Sequence, residues 1–149
     1  MNRLGAALVG CAFLAAGAAQ AEVTIANVWM RPAAAGAARA DAYADLRTGT
    51  PATLVAVRTP AARRVDIVVH DPRDPSSVPH VVEKLAIPRG ETRFALKGSV
   101  LRLIDVTQAI APGHPVPLRF ELADESGKLT TVEAQVEVRG FVGAPAAMR

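Results

Sequence analysis

Pro117-Leu118-Arg119-Phe120-Glu121-Leu122, the linker Ala123-Asp124-Glu125-Ser126-Gly127, and Thr131-Val132-Glu133-Ala134-Gln135-Val136-Glu137-Val138 within the segment Leu129 to Val138 together decide the fold. Both flanking segments alternate apolar and polar residues with a period of two, so each offers one apolar face. The acidic linker ending in Gly is a turn, and the stretch reads as a hairpin of two long antiparallel strands.

Outward from that hairpin, short runs of apolar and β-branched residues recur between Pro, Gly, Asp and Asn. They predict strands at Val23 to Trp29, Ala42 to Leu46, Thr53 to Arg58, Arg64 to His70, His80 to Leu85, Thr92 to Leu96 and Val100 to Val106. In the fourth run, Val65, Ile67 and Val69 should face the core, and Asp66, Val68 and His70 the opposite side. Pro60-Ala61-Ala62 adds one short helical turn. No segment after residue 21 sustains an amphipathic helix of ten or more residues. Strands without intervening helices imply an all-β, two-sheet antiparallel β-sandwich. Trp29 and Tyr43, each the sole residue of its kind, are expected in its core.

The ends are read differently. Arg3 gives a basic start, Leu4 to Gly17 is almost wholly apolar, and Ala19-Gln20-Ala21 is the small-x-small pattern of a cleavage site. Residues 1–21 are thus predicted to be a secretory signal peptide; the apolar run is shorter than the ~20 residues that span a bilayer. No membrane span is then expected after cleavage, and the location is periplasmic. Leu8-Val9-Gly10-Cys11 also has the letters of a lipoprotein processing box, which would leave Cys11 lipidated. Residues 22–140 form the predicted sandwich domain and 141–149, rich in Gly, Ala and Pro, a disordered tail.

Cys11 is the only cysteine of the 149 residues, so cleavage before Glu22 leaves a domain without disulfides, thiolate ligands or a cysteine nucleophile. The net charge of +3 loses Arg3. The remaining basic residues are scattered, without a basic run or interleaved aromatics, and predict no nucleic-acid partner. Ser76 and Ser77 lie near Asp74 and His80 but lack a nucleophile elbow and an oxyanion motif, so no enzyme is predicted.

The order of features resembles the PCuAC family of periplasmic copper chaperones. The pieces are Val28-Trp29-x-Arg31, Ala42-Tyr43-Ala44-Asp45-Leu46, and Leu54-Val55-x-Val57-x-Thr59-Pro60-Ala61-Ala62-x-x-Val65 ending in His70. Ile87-Pro88-Arg89-Gly90, Leu96-Lys97-Gly98 and Gly113-x-Pro115-Val116-Pro117-Leu118-x-Phe120 follow. The resemblance covers residues 23 to 138 and implies a cupredoxin-like Greek-key β-sandwich that carries Cu(I). The partner it implies is a copper-accepting respiratory assembly protein, in cytochrome oxidase assembly.

The resemblance also implies a ligand set of a His, a downstream Met and a His-x-Met pair, soft donors that suit Cu(I). Here His70 stands at the first histidine. The methionine region reads Val78-Pro79-His80-Val81-Val82, and the His-x-Met position reads Val100-Leu101-Arg102. The metal candidates are therefore His70 and His80, a harder pair suited to Cu(II) or Zn(II). His70 reads equally as a strand-end histidine bonded to Asp71 or the following loop, and His80 and His114 as exposed histidines. Arg102 cannot coordinate a cation and repels one. It is expected either to pair with Asp66, Asp71 or Asp105 or to face outward from an alternating strand. Two functions stay open: a copper-chaperone-like binding protein, and a relative without metal that acts as a protein-interaction or structural module.

Overall fold

A computed structural model describes residues 23–140. The predicted signal peptide, Cys11 and the predicted tail lie outside the described residues. The chain runs β1 (Val23–Met30), β2 (Arg39–Thr48), β3 (Ala52–Arg58), β4 (Ala62–Val69), β5 (His80–Val82), β6 (Leu85–Ile87), β7 (Gly90–Phe94), β8 (Val100–Val106), β9 (Pro117–Ala123), β10 (Leu129–Gln135) and β11 (Glu137–Val138). The larger sheet has the order β11-β1-β2-β8-β4-β5, with β7 also on β2; the smaller has the order β10-β9-β3-β6. The predicted sandwich forms. Its strands pair antiparallel except β1 and β11, which pair parallel through Trp29 with Glu137 and Met30 with Val138.

The β9–β10 hairpin has the predicted register, with Phe120 opposite Val132 and Leu118 opposite Ala134. Leu118, Phe120 and Leu122 are buried, and the residues between them are not. They meet Phe94, Met30, Leu46, Leu54, Leu101 and Leu103 between the sheets. Each such side chain contributes about 1.5–3 kcal/mol by leaving water. The turn is held by Asp124, whose carboxylate accepts from the Ser126 N–H at 2.9 Å, the Ser126 hydroxyl at 2.6 Å and the Lys128 N–H at 2.9 Å. Gly127 sits at φ 86°, the left-handed region that this turn requires.

Three expectations are corrected. The run His80 to Leu85 is two strands in different sheets: β5 pairs with β4 and β6 with β3, and the chain crosses between them at the charged pair Glu83-Lys84. The run Leu129 to Val138 likewise divides at Val136, whose N–H makes a last bond in the β9 register to the Val116 carbonyl at 2.9 Å before Glu137 and Val138 pair with β1 in the larger sheet. Pro60 and Ala61 form a simple turn, with the Ala61 N–H donating to the Thr59 hydroxyl at 3.2 Å, and Ala62 already begins β4.

Tyr43 is buried as expected and Trp29 is half-buried, but both lie in a cluster separate from the one between the sheets, in a way that bears on function. A strict period of two would put Trp29 on the same face as Val23 and Ile25, which pack toward the core. A β-bulge between Ala26 and Trp29, with Asn27 at φ 50° and its amide bonded to Asp45 at 2.8 Å, inverts the alternation. Val28 and Met30 then enter the core, and Trp29 turns to the outer face of the larger sheet. There it joins Tyr43, Val68 and Val100 in a second apolar cluster.

Candidate functional site

The outer face of the larger sheet gathers the positions at which the PCuAC resemblance implies ligands. Val68 of β4 is the cross-strand partner of both Val100 on β8 and Val81 on β5. Paired residues project to the same side of a sheet, so the three valines form one lateral row. Tyr43 and Trp29, paired across β2 and β1, extend the row at 4.5 Å between ring centroids. The Arg139 guanidinium lies 4.7 Å from the Trp29 ring centroid and closes that end.

One residue pair along the strands, Arg102 stands between Asp41 on β2 and Asp66 on β4. Its Nε and Nη2 donate to the two Asp41 oxygens at 2.8 and 3.3 Å. Both side chains are about two-thirds buried, with exposures of 28% and 31%. The hydrogen bond that Arg102 donates to Asp41 raises the Arg102 pKa above the ordinary arginine value; burial opposes the shift, and the charges of Asp41 and Asp66 add to it. Burial and the negative charge of Asp41 push the Tyr43 phenol up. The outward-facing arginine of the sequence reading is thus observed, paired with Asp41. Asp66 is held by Arg64 at 2.9 Å and Asp105 by Arg63 at 3.2 Å.

On the opposite side of the valine row, the His70 N–H donates to the Ser99 hydroxyl at 3.1 Å. The His70 Nδ1 lies 3.4 Å from the Ser77 hydroxyl, in the loop that follows. His80 pairs with Val69 across β4 and β5. By alternation it shares the side of the pleat that Val69 takes; His70 is the next residue along, just past the end of β4. The His80 Nδ1–H donates to the Val78 carbonyl at 3.0 Å, and the ring is exposed. The pairing sets the two histidines at neighbouring positions, each with its own hydrogen-bond partner, Ser77 for His70 and Val78 for His80. His114 lies exposed in the turn before β9. Ser76 donates its hydroxyl to Asp74 at 2.7 Å, a loop-internal bond that holds the Asp74 carboxyl below the ordinary carboxylate range.

This donor set does not fit Cu(I). Val78 to Val82 supply no thioether and only the His80 imidazole, Val100 and Arg102 supply neither, and Arg102 brings a fixed positive charge to the face. Met30 is fully buried in the core. Among the described residues, no group of three or more His, Cys, Asp or Glu is arranged to hold a metal ion. Asp41 was absent from the candidates for Arg102 because the pair is separated by 61 positions. No local pattern reports a contact set by the pairing of two distant strands.

The LpqE-like family matches residues 23–137. The chain belongs to this family. The family's description is that of a lipoprotein, LpqE. The fold is that of PCuAC domains. The copper-bound PCuAC domain of PmoF2 superposes with a TM-score of 0.58 at 21% identity, covering 78% of this chain and 93% of that one. The apo PmoF2 domain gives 0.58 at 22% identity, covering 78% and 90%. Apo-DR1885 from Deinococcus radiodurans, a solution structure, gives 0.56 at 21% identity and covers 93% of this chain and 94% of that one. No curated protein matches the chain significantly. Among the described residues, no helix is long and apolar enough to cross a membrane.

Proposed function

We propose that this LpqE-like chain is an exported, non-catalytic binding module of the PCuAC type that works through protein contact rather than by carrying copper. The observation that supports this reading is the filling of the ligand face. Val100 packs with Val68 and Tyr43, Val81 stands exposed beside Val68, and Arg102 is locked by two hydrogen bonds to Asp41, at positions where a soft cation would need sulfur and imidazole donors. Export is supported by the sequence of residues 1–21 and by the lipoprotein description of the family. On this reading the protein reaches the periplasm, where either cleavage after Ala21 frees it or Cys11 anchors it.

The copper-chaperone alternative makes His70 a donor in copper transfer to a respiratory assembly partner. Thermal unfolding with Cu(I) under reducing conditions, and separately with Cu(II) and Zn(II), tests the choice. A ligand that binds only the folded state raises Tm; at one hundred times its Kd it adds about 2.7 kcal/mol of stability. No rise is expected with any of the three. A rise that His70→Ala abolishes would overturn the proposal and establish metal handling.

A further inference from the structure

The two sheets leave an unfilled slot at one edge of the sandwich. β6 pairs only with Ala52 to Leu54 of β3, so Val55 to Arg58 have no strand partner on that side. β5 pairs only with Ile67 to Val69 of β4, so Ala62 to Asp66 have none on theirs. The cause is the sheet switch at Glu83-Lys84, where the chain abandons β4 halfway along its length to cross to β3. A cavity of about 500 Å³ opens between the two bare stretches, lined by Val55 to Thr59, Arg63 to Ile67 and Val81 to Glu83.

Bare strand edges carry unpaired N–H and C=O groups and accept an added strand. The charge on this edge selects what can be added. Arg58, Arg63 and Arg64 line the slot and are exposed on its rim; Asp66, which pairs with Arg64, and Glu83 line it too, whereas Glu121 and Asp105, the partners of Arg58 and Arg63, do not, so the lining keeps an excess of positive charge. Exposed pairs of this kind are worth only about 0–1 kcal/mol and exchange partners readily. Two copies of an edge bearing Arg63-Arg64 repel one another, which disfavours self-pairing; an acidic strand is attracted.

We propose that the slot is a strand-addition site for an extended, acidic peptide segment of a partner protein. The segment continues the line of β5 along Ala62 to Asp66 of β4, a length of about 16 Å at ~3.3 Å per residue. Its carboxylates lie on the Arg64 side of the sheet and are attracted by the rim arginines, and its alternate apolar side chains point into the cavity beside Val55, Val57 and Val65. The proposal rests on the reading of the chain as a protein-binding module and supplies the surface which that reading lacks.

The test uses the peptide Glu-Val-Glu-Val-Glu-Val, capped at both ends, with anisotropy for affinity and amide hydrogen exchange for location. Saturable binding is expected, with exchange slowed at least tenfold at amides between Ala62 and Asp66. Affinity should fall at least tenfold in Arg63→Glu/Arg64→Glu, whose side chains are 75% and 60% exposed, so that folding is retained. A peptide N-methylated at alternate residues should not bind. Absence of binding up to millimolar peptide, protection confined to another surface, equal binding of the N-methylated peptide, or self-association that protects the same amides would each overturn the proposal. The metal titration is independent: copper binding without loss of peptide protection would remove the metal-free reading and leave the slot intact.

Discussion

Arg102 and Asp41 should be energetically coupled, and the size of that coupling can be worked from their geometry. The pair makes two charge-assisted hydrogen bonds at 2.8 and 3.3 Å with side chains 28% and 31% exposed. Fully exposed pairs are worth about 0.2–1 kcal/mol. Truncating one partner of a fully buried pair costs about 3–5 kcal/mol. At two-thirds burial, with water able to reach the orphaned group, Arg102→Ala and Asp41→Ala should each cost about 1–2 kcal/mol, intermediate between those limits. For a domain of this size that lowers Tm by about 4–8 °C. A double-mutant cycle by urea denaturation should return a coupling of about 1 kcal/mol. Because the Arg102 pKa is raised, its contribution is present at every pH below the ordinary arginine value and should be the same at pH 7 and pH 9. A coupling within about 0.3 kcal/mol of zero would refute the claim that this face is organised around the ion pair.

Further outcomes follow from the same coordinates. Phe120→Ala, which empties a fully buried site between the sheets, should cost about 3–5 kcal/mol in denaturant unfolding. Trp29→Ala removes the ring contact with Tyr43 and the Arg139 stack, and should cost about 1–2 kcal/mol with little change in m-value. The hydrogen bond from Ser126, followed by those from Lys128 and the Ser126 backbone, lowers the Asp124 pKa. Asp124 therefore stabilises the hairpin above the ordinary aspartate range, and that stability is lost as the pH falls through its lowered pKa. Ser126→Ala should move the Asp124 titration upward, toward its ordinary value, in a carboxyl-detected NMR titration. An unmoved titration would deny the hydrogen bond its role.

The parts of this molecule that were legible in the sequence are those set by local periodicity. Leu118, Phe120 and Leu122 alternate with polar residues, so the hairpin, its register and its buried face could all be read directly. The illegible parts come from long-range pairing. Nothing in Val81-Val82-Glu83-Lys84-Leu85 announces that the strand divides between two sheets, yet that division opens the slot beside β4. The outward turn of Trp29 depends on a bulge at Asn27, a residue whose short polar side chain tolerates the left-handed region but does not demand it. For the ligand face, the missing methionine of the 78–82 segment and the Val100-Leu101-Arg102 replacement were visible, and the structure adds that Val100 packs with Val68 and Tyr43 while Val81 stays exposed. The relation of His70 to His80 needed the register: ten residues apart across a loop, they stand at neighbouring positions because Val69 pairs with His80.

The central claim, that this PCuAC-type face does not carry Cu(I), is tested most directly by competition against a chromophoric Cu(I) chelator. The natural chain and a graft of Val81→Met, Val100→His and Arg102→Met are titrated side by side. The account predicts that the natural chain leaves the chelator fully loaded, whereas the graft, which sets two thioethers and an imidazole beside His70, withdraws one equivalent of copper. Withdrawal of one equivalent by the natural chain, lost in His70→Ala, would contradict it.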